Sequence, residues 1–381
     1  LPISMTGKPY NEVFGLPLDG FIHLTCPHFW RYGNPGESEA EFVARLAAEL
    51  EDTIAREGAD TIAGFFAEPV QGAGGVIPPA QGYFQAIQPI LKKHGIPLIS
   101  DEVIGWGALS GLTVDPATPT QLFAVSDSAY DAMPSIYTID ASATPARITA
   151  RTTVTRDGAP AEKLDLEGIA ADGDGGFWLA SEGDPEKEVP HAVLHVDASG
   201  AITQDFPLPD TLAEGATRFG FEGVAVHDGK LWLAVQREWK DDPKGQTKLL
   251  QLDPASGEWA GVRYPLESGD GWVGLSEIAI HGDDLYVLER DNLIGDKARL
   301  KQVTSVALDG LKPAALGGDL PLVDKQVVRD LIPDLKRWNG YVQDKVEGMA
   351  ISPDGTVWVV TDNDGVDDSS GETLYWTFKL Q

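Results

Sequence analysis

The chain has 381 residues and a formal net charge of −30, because 59 Asp and Glu residues outnumber 29 Lys and Arg residues. A field this acidic repels phosphate backbones and anionic lipid, so we expect no nucleic-acid or membrane partner and we expect cations to be favoured. The single cysteine, Cys26, excludes an intrachain disulfide and a thiolate metal cage. The 42 glycines and 26 prolines favour a mainly β chain rich in turns.

The first 106 residues alternate between helix and strand patterns. Ser38 and Glu41 have the spacing of a capping box, and Gly58 ends the four-residue apolar periodicity that follows. The predicted elements are a helix over 38–58, a strand over 60–67, a helix over 82–94 and a strand over 97–100. This order implies a parallel sheet.

From residue 109 onward a strand motif recurs five times. Its copies begin at Leu109, Leu166, Phe221, Leu275 and Val346. A second strand follows each copy after a turn, and four of these turns carry Asp-Gly or Gly-Asp pairs, which are typical of hairpins. Strand-only repeats of roughly 40–55 residues are typical of propeller blades. The sequence therefore predicts a mainly β fold, a β-propeller of five to six blades over 107–381, preceded by a partial α/β segment over 1–106.

Two positions of this repeat carry charged or polar residues in every copy. One set is Ser110, Glu167, Glu222, Ser276 and Glu347, with Glu277 one place further on. The other set ends the second strands and comprises Asp127, Glu182, Gln236, Arg290 and Asp362. Since equivalent positions of successive blades surround the central channel, we expect these groups to converge there.

Carboxylates crowded in this way require a cation or raised pKa values. Oxygen ligands without a Cys or His cluster favour Ca²⁺ or Mg²⁺ over zinc. The predicted metal ligands, for which we favour Ca²⁺, are Glu167, Glu222, Glu277, Glu347, Asp127 and Asp362.

Cationic side chains stand beside these carboxylates in the sequence. Arg237, Arg290 and Lys345 are candidates to hold the anionic group of a small ester substrate, with Glu222 as a further catalytic candidate. The alternative is purely structural, with Glu–Arg pairs that close the channel.

The repeat region resembles the phytase-like β-propeller family, which is also described by an esterase-like activity of phytase. The resemblance lies in Asp165-Leu166-Glu167-Gly168, Gly220-Phe221-Glu222-Gly223 and Lys345-Val346-Glu347-Gly348, among other segments. It implies a propeller fold and hydrolysis of ester or phosphoester substrates, and it suggests an exported or periplasmic protein.

Residues 1–106 instead resemble a central fragment of the class III (omega) aminotransferases, which have a type I fold and use pyridoxal phosphate. The resemblance is carried by Glu68-Pro69-Val70-Gln71-Gly72 and Ser100-Asp101-Glu102-Val103-Ile104, among others. It implies that Asp101 would pair with the pyridine nitrogen, that Val103 would pack on the cofactor ring, and that the protein is cytoplasmic. The pattern breaks after Ile104, and no segment with the family's Schiff-base lysine follows, so we expect a vestigial cofactor site.

Three functions follow from these observations. The favoured one is a metal-assisted hydrolase of phosphate or carboxylate esters, fused to an inactive aminotransferase fragment. The second is a non-catalytic propeller scaffold that binds Ca²⁺. The third is a pyridoxal-phosphate-dependent omega-aminotransferase.

Overall fold

The computed structural model describes residues 20–67, 79–100, 108–127, 133–143, 145–337, 342, 345–362 and 373–380. The chain divides into two compact units, Leu1–Gly105 and Trp106–Gln381. None of the helices in these described ranges is long and apolar enough to cross a membrane.

The first unit is built from helices and a short sheet. Its elements are α1 (Phe29–Tyr32), α2 (Glu39–Glu57), β1 (Phe65–Ala67), α3 (Tyr83–His94) and β2 (Leu98–Ser100). The capping box is confirmed, since the Ser38 hydroxyl accepts from the Glu41 backbone N–H and the Glu41 carboxylate accepts from that of Ser38. Strands β1 and β2 pair in parallel as predicted, with Phe65 opposite Leu98. The predicted strand over 60–67 is wrong at its start, because Ala59–Thr61 forms a 3₁₀ turn.

The four-residue periodicity of α2 produces the core of this unit. Phe42, Leu46 and Leu50 are buried on one face of the helix, and Ile87 and Leu91 of α3 belong to the same cluster. Each fully buried side chain of this size contributes about 1.5–3 kcal/mol relative to an exposed one.

The second unit consists of antiparallel sheets that we call blades. Blade 1 contains β3 (Leu109–Val114), β4 (Gln121–Ser126), β5 (Ser135–Asp140) and β6 (Arg147–Thr153). Blade 2 contains β9 (Leu166–Ala171), β10 (Phe177–Ser181), β11 (Ala192–Val196) and β12 (Ile202–Pro207), and the small hairpin β7 (Thr155–Arg156) and β8 (Ala159–Pro160) precedes it. Blade 3 contains β13 (Phe221–His227), β14 (Lys230–Val235), β15 (Gln246–Asp253) and β16 (Glu258–Pro265), and the one-turn helix α4 (Asp210–Ala213) precedes it.

The remaining blades follow the same order of strands. Blade 4 contains β17 (Val273–His281), β18 (Asp284–Asp291), β19 (Lys301–Ala307) and β21 (Gln326–Asp330). Blade 5 contains β22 (Val346–Ile351), β23 (Thr356–Thr361) and β24 (Tyr375–Lys379), and helix α5 (Ile332–Leu335) precedes it. The short strand β20 (Ala314–Ala315), from the connection between β19 and β21, pairs instead with β16 at the outer edge of blade 3.

The first strands of the blades form a closed ring. Strand β3 contacts β9, β9 contacts β13, β13 contacts β17, β17 contacts β22, and β22 returns to β3. The architecture is therefore a five-bladed β-propeller, which confirms the predicted fold class at the lower of the two blade numbers.

Aspartates cap the turns that connect the third and fourth strands of blades 1 to 3. The side chain of Asp140 accepts from the Ser142 backbone N–H, that of Asp197 from Ser199, and that of Asp253 from Ala255. Such side-chain-to-backbone bonds favour a tight turn, which explains why the third strands end in Asp.

Candidate functional site

A β-bulge lies at the same place in the first strand of every blade. The pairing register slips around Ser110, Glu167, Glu222, Ser276 and Glu347. A bulge adds an unpaired residue and re-aims its side chain. These five residues, the inner ring, are all buried, with exposed fractions between 0% and 7%.

Glycines after the bulge let neighbouring first strands approach closely. A Cβ on Gly168 would lie 2.7 Å from the carbonyl oxygen of Glu222, and one on Gly348 would lie 2.5 Å from that of Ser110. The repeated Glu-Gly pair is therefore explained by packing around the axis as well as by any chemistry of the glutamate.

A second set of side chains lies where the second strands end. We call Asp127, Glu182, Gln236, Arg290 and Asp362 the mouth residues. The backbone N–H of Asp127 donates to the Ala108 carbonyl at 2.9 Å, and Glu182, Gln236 and Asp362 repeat this bond to the residue before the first strand of their own blade. The repeat thus places the mouth residues at the same end of the propeller.

Three carboxylates meet between blades 1 and 2. Asp127, Asp165 and Glu167 each offer an oxygen atom, and these atoms lie within 4.8 Å of one another. The pKa of Glu167 is raised well above its usual value, first by burial and then by the negative charges of Glu222 and Asp127. The Ser110 hydroxyl donates to the Glu167 carboxylate from the neighbouring blade.

A second acidic group joins blades 2 and 3. The carboxyl groups of Glu182 and Glu222 share a hydrogen bond, which requires a proton on one of them. Burial, followed by the charge of Asp165, raises the pKa of Glu182 to about 8. The pKa of Glu222 is also raised well above its usual value, by burial and by Glu182.

Gln236 completes this second group. Its side-chain N–H₂ donates to Glu222. Its carbonyl oxygen is buried and has no donor among the residues that the structure describes. A buried carbonyl oxygen without a partner is costly, and it is also a hard ligand of the kind that Ca²⁺ takes.

The predicted cationic residues differ in their surroundings. Arg290 is 3% exposed and donates to Ser276 at 2.9 Å and to Glu347 of the next blade at 2.5 Å. The Nζ atom of Lys345 lies 3.1 Å from a carboxylate oxygen of Asp362 in blade 5. Both contacts match the structural alternative in which ion pairs close the channel.

Arg237 is held by aromatic rings, and it forms no ion pair with a carboxylate in the part of the chain that the structure describes. Its guanidinium carbon lies 4.3 Å from the centre of the Phe219 ring and 4.7 Å from that of the Trp272 ring. Such cation–π contacts orient a guanidinium without neutralising its charge.

Glu277 lies one residue beyond the inner ring, where blades 1, 2, 3 and 5 have glycine. Its carboxylate accepts from the backbone N–H of Leu112 at 3.0 Å and from that of Ile278 at 2.9 Å. Val224 provides a further backbone hydrogen bond, and burial raises the pKa of Glu277 well above its usual value. Because these three donors belong to blades 1, 4 and 3, the carboxylate lies across the axis of the propeller, where backbone amides satisfy it.

The structure thus brings most of the predicted site residues to one channel and adds Asp165 to them. Asp165 was not predicted, although it has the same repeat position as Lys345, which was. Glu182 was expected in the channel but was not among the predicted metal ligands or catalytic candidates. The predicted cofactor contacts of the first unit, Asp101 and Val103, lie outside the described residues.

A five-bladed propeller with an acidic channel defines the class of protein, and comparison with known sequences defines the family. The chain belongs to the phytase-like family, described by the esterase-like activity of phytase, whose model matches residues 104–365. Residues 2–115 match the model of class-III aminotransferases.

The relatives found by sequence and by structure match the N-terminal segment. A chloroplastic gamma aminobutyrate transaminase 3 of Solanum lycopersicum is 55% identical over 108 residues, which are 28% of this chain and 21% of that protein. The omega-transferase of Vibrio fluvialis JS17 is 79% identical over 28% of this chain and 25% of that chain, with a TM-score of 0.27. An omega-aminotransferase of Paracoccus denitrificans is 82% identical over 28% and 24%, also with a TM-score of 0.27. The chain therefore spans about a fifth to a quarter of the length of these relatives.

Proposed function

We propose that the propeller is a metal-assisted hydrolase of small anionic esters, either phosphate or carboxylate esters, with Ca²⁺ at the mouth of its channel. The observation that carries this proposal is the cluster of Asp127, Asp165 and Glu167, whose oxygens lie within 4.8 Å of one another. Carboxylates at this distance repel each other unless a proton or a cation lies between them. Ca²⁺ takes six to eight oxygen ligands, so this cluster and water would satisfy it.

The remaining channel residues support hydrolysis beside such a cation. A bound divalent ion polarises water and stabilises developing negative charge. Glu182, with a pKa of about 8, keeps its proton at neutral pH and is suited to donate it to a leaving oxygen. Arg237 forms no ion pair with a carboxylate in the described part of the chain, so it is suited to bind the anionic group of the substrate.

The experiment measures cation binding and turnover on the same variants. Ca²⁺ should raise the melting temperature of the chelator-treated protein and support release of p-nitrophenol from p-nitrophenyl phosphate or p-nitrophenyl acetate. Asp165→Asn should reduce both effects, whereas Asp283→Asn makes the same charge change in an exposed turn and should alter neither. A melting temperature that ignores Ca²⁺, with turnover unchanged in Asp165→Asn, would refute the proposal.

The second candidate is a non-catalytic scaffold that binds Ca²⁺. It is favoured by the ion pairs Arg290–Glu347 and Lys345–Asp362, which occupy charged groups that a hydrolase would use on its substrate. A calcium-dependent rise in melting temperature without ester turnover would select this function.

Transamination is not proposed, because no lysine follows Asp101 within residues 2–115, the segment that matches the aminotransferase model. The lysines before residue 110 are Lys8, Lys92 and Lys93. Lys93 pairs with Glu51 at 2.9 Å, and its side chain is 64% exposed, which does not suit a Schiff-base lysine. An absorbance spectrum with added pyridoxal phosphate tests the absence of transaminase activity, since an internal aldimine band would contradict it.

A further inference from the structure

Guanidinium groups and aromatic rings alternate at the junction of blades 3 and 4. The series, which we call the ladder, runs Arg218, Phe219, Arg237, Trp272 and Arg290. Successive distances from guanidinium carbon to ring centre are 4.8, 4.3, 4.7 and 5.1 Å. Every guanidinium in the ladder therefore lies over a ring, and every ring lies against two guanidinium groups.

The charges of the ladder are balanced at one end only. Arg290, the buried end, pairs with Glu347. Arg218 is exposed, Arg237 is half-buried, and neither forms an ion pair with a carboxylate in the described ranges. Glu238 is the nearest acidic neighbour along the chain, but its carboxylate accepts from the backbone N–H of Gly245 at 2.7 Å. Two arginines without a carboxylate partner among the described residues are notable in a chain with a net charge of −30.

Arg237 is the group that most needs a counter-charge. Its Nε is buried and has no acceptor among the residues described. Burial lowers the pKa of Arg237, and the positive charge of Arg218 adds to this effect, while Glu238 opposes it. A bound anion would supply negative charge beyond that of Glu238.

We propose that Arg218 and Arg237 together bind one tetrahedral dianion, the phosphoryl group of a phosphate monoester. Both guanidinium carbons lie within 5 Å of the centre of the Phe219 ring, so they are at most about 9 Å apart. An anion at the edge of the Phe219 ring would accept from both groups at a separation of this size, and the two positive charges already act on one another. Two positive charges match a group of charge near −2 better than a carboxylate of charge −1.

The aromatic rings explain how this site keeps its charge. A carboxylate beside Arg237 would orient it but would cancel the field that attracts the ligand. Phe219 and Trp272 hold the guanidinium through their π faces and leave its charge available. This inference rests on the proposed function in one respect: it names the phosphate monoester as the substrate class that the rim of the channel selects.

The test measures binding without turnover. Inorganic phosphate is titrated calorimetrically into the full chain, with chelator present and at constant ionic strength, so that the result does not depend on the metal site. Phosphate should bind at least tenfold more tightly than acetate, because it can accept charge-assisted bonds from both arginines. Sulfate should bind comparably to phosphate, because it is also a tetrahedral dianion.

Variants identify the residues. Arg218→Gln and Arg237→Gln should each weaken phosphate binding at least tenfold, whereas Lys240→Gln, the same charge change outside the ladder, should leave it unchanged. Phe219→Leu keeps both charges and should weaken binding as well, which separates the ladder from simple surface charge. Melting temperatures establish that each variant is folded.

The outcomes separate this inference from the proposed function. Phosphate binding that requires Arg218 and Arg237 would support the site even where no ester is hydrolysed. Equal binding of acetate and phosphate, or phosphate binding that survives both arginine substitutions in folded protein, would overturn it, whatever the catalytic activity.

Discussion

The stability of the metal-free propeller should decrease as the pH rises, because the channel buries carboxyl groups that favour their protonated form. Glu182 defines the pH range of this decrease, because its pKa is about 8 in the folded protein and ordinarily 4.5. A group whose pKa is raised by folding stabilises the protein fully below its unfolded pKa. That contribution is lost as the pH rises toward its folded pKa.

The size of the effect follows from the shift. Each pKa unit corresponds to about 1.4 kcal/mol, so Glu182 alone accounts for a loss on the order of 4 kcal/mol between about pH 4.5 and pH 8. Glu167, Glu222 and Glu277 have raised pKa values for the same reason, burial, and they add to the decline. Glu182→Gln imitates the protonated carboxyl at every pH, so the variant should lose less stability over this range.

The assay is urea unfolding in the presence of chelator at intervals from pH 5 to pH 9. The free energy of unfolding of the parent chain should fall across this range, and the two curves should diverge by a few kcal/mol toward pH 8. Added Ca²⁺ should restore stability at pH 8 in the parent chain, since a cation replaces the protons. A free energy of unfolding that is flat or rises from pH 5 to pH 8, or a slope unchanged in Glu182→Gln, would refute this reasoning.

Four further predictions concern single substitutions. Asp127→Asn should reduce the drop in melting temperature that chelator causes, and a full drop in the folded variant would argue against a cation at that residue. Arg290→Ala should lower the free energy of unfolding by about 3–5 kcal/mol, because it leaves Glu347 buried without its partner, and denaturant unfolding measures this. Arg237→Ala should instead lower ester turnover at least tenfold while the melting temperature stays within a few degrees, and a loss of stability without loss of turnover per folded molecule would contradict this. Gly168→Ala should lower the melting temperature by several degrees, since its Cβ would lie 2.7 Å from the carbonyl oxygen of Glu222, and an unchanged melting temperature would show that the blades can move apart.

The repeat made most of the propeller predictable. Each copy carries an apolar strand, a tight turn and a second apolar strand, and these features are local, so the sequence reports them directly. The pairing of β20 with blade 3 was not predictable in this way. Ala314–Ala315 is too short to show a strand pattern, and its partner, β16, is distant in the sequence.

The site was predictable in outline, because equivalent repeat positions face the same channel. Which charged side chains pair with one another inside the site was not predictable. Whether Arg290 meets a ligand or Glu347 depends on the separation of neighbouring blades, and no local pattern encodes that distance. Asp165 shows the opposite case, since its alignment with Lys345 was available in the sequence and only required the residue before the first strand to be compared between repeats. The rings of the ladder, Phe219 and Trp272, precede two different blades and meet only after the ring has closed.

Glu277 breaks the five-fold repetition of the ring, and its side chain lies across the axis of the propeller. Four blades have glycine at its position, so Glu277 is the one residue of this set that carries a side chain. The Glu277 carboxylate accepts hydrogen bonds from backbone amides of blades 1, 3 and 4, and it therefore blocks the axis at that level. A cation or ester of the proposed function would then enter and leave at the end of the propeller that carries the mouth residues. Substrate and product of the proposed reaction would then share a single opening, and release of a tightly bound anion would limit the rate of turnover.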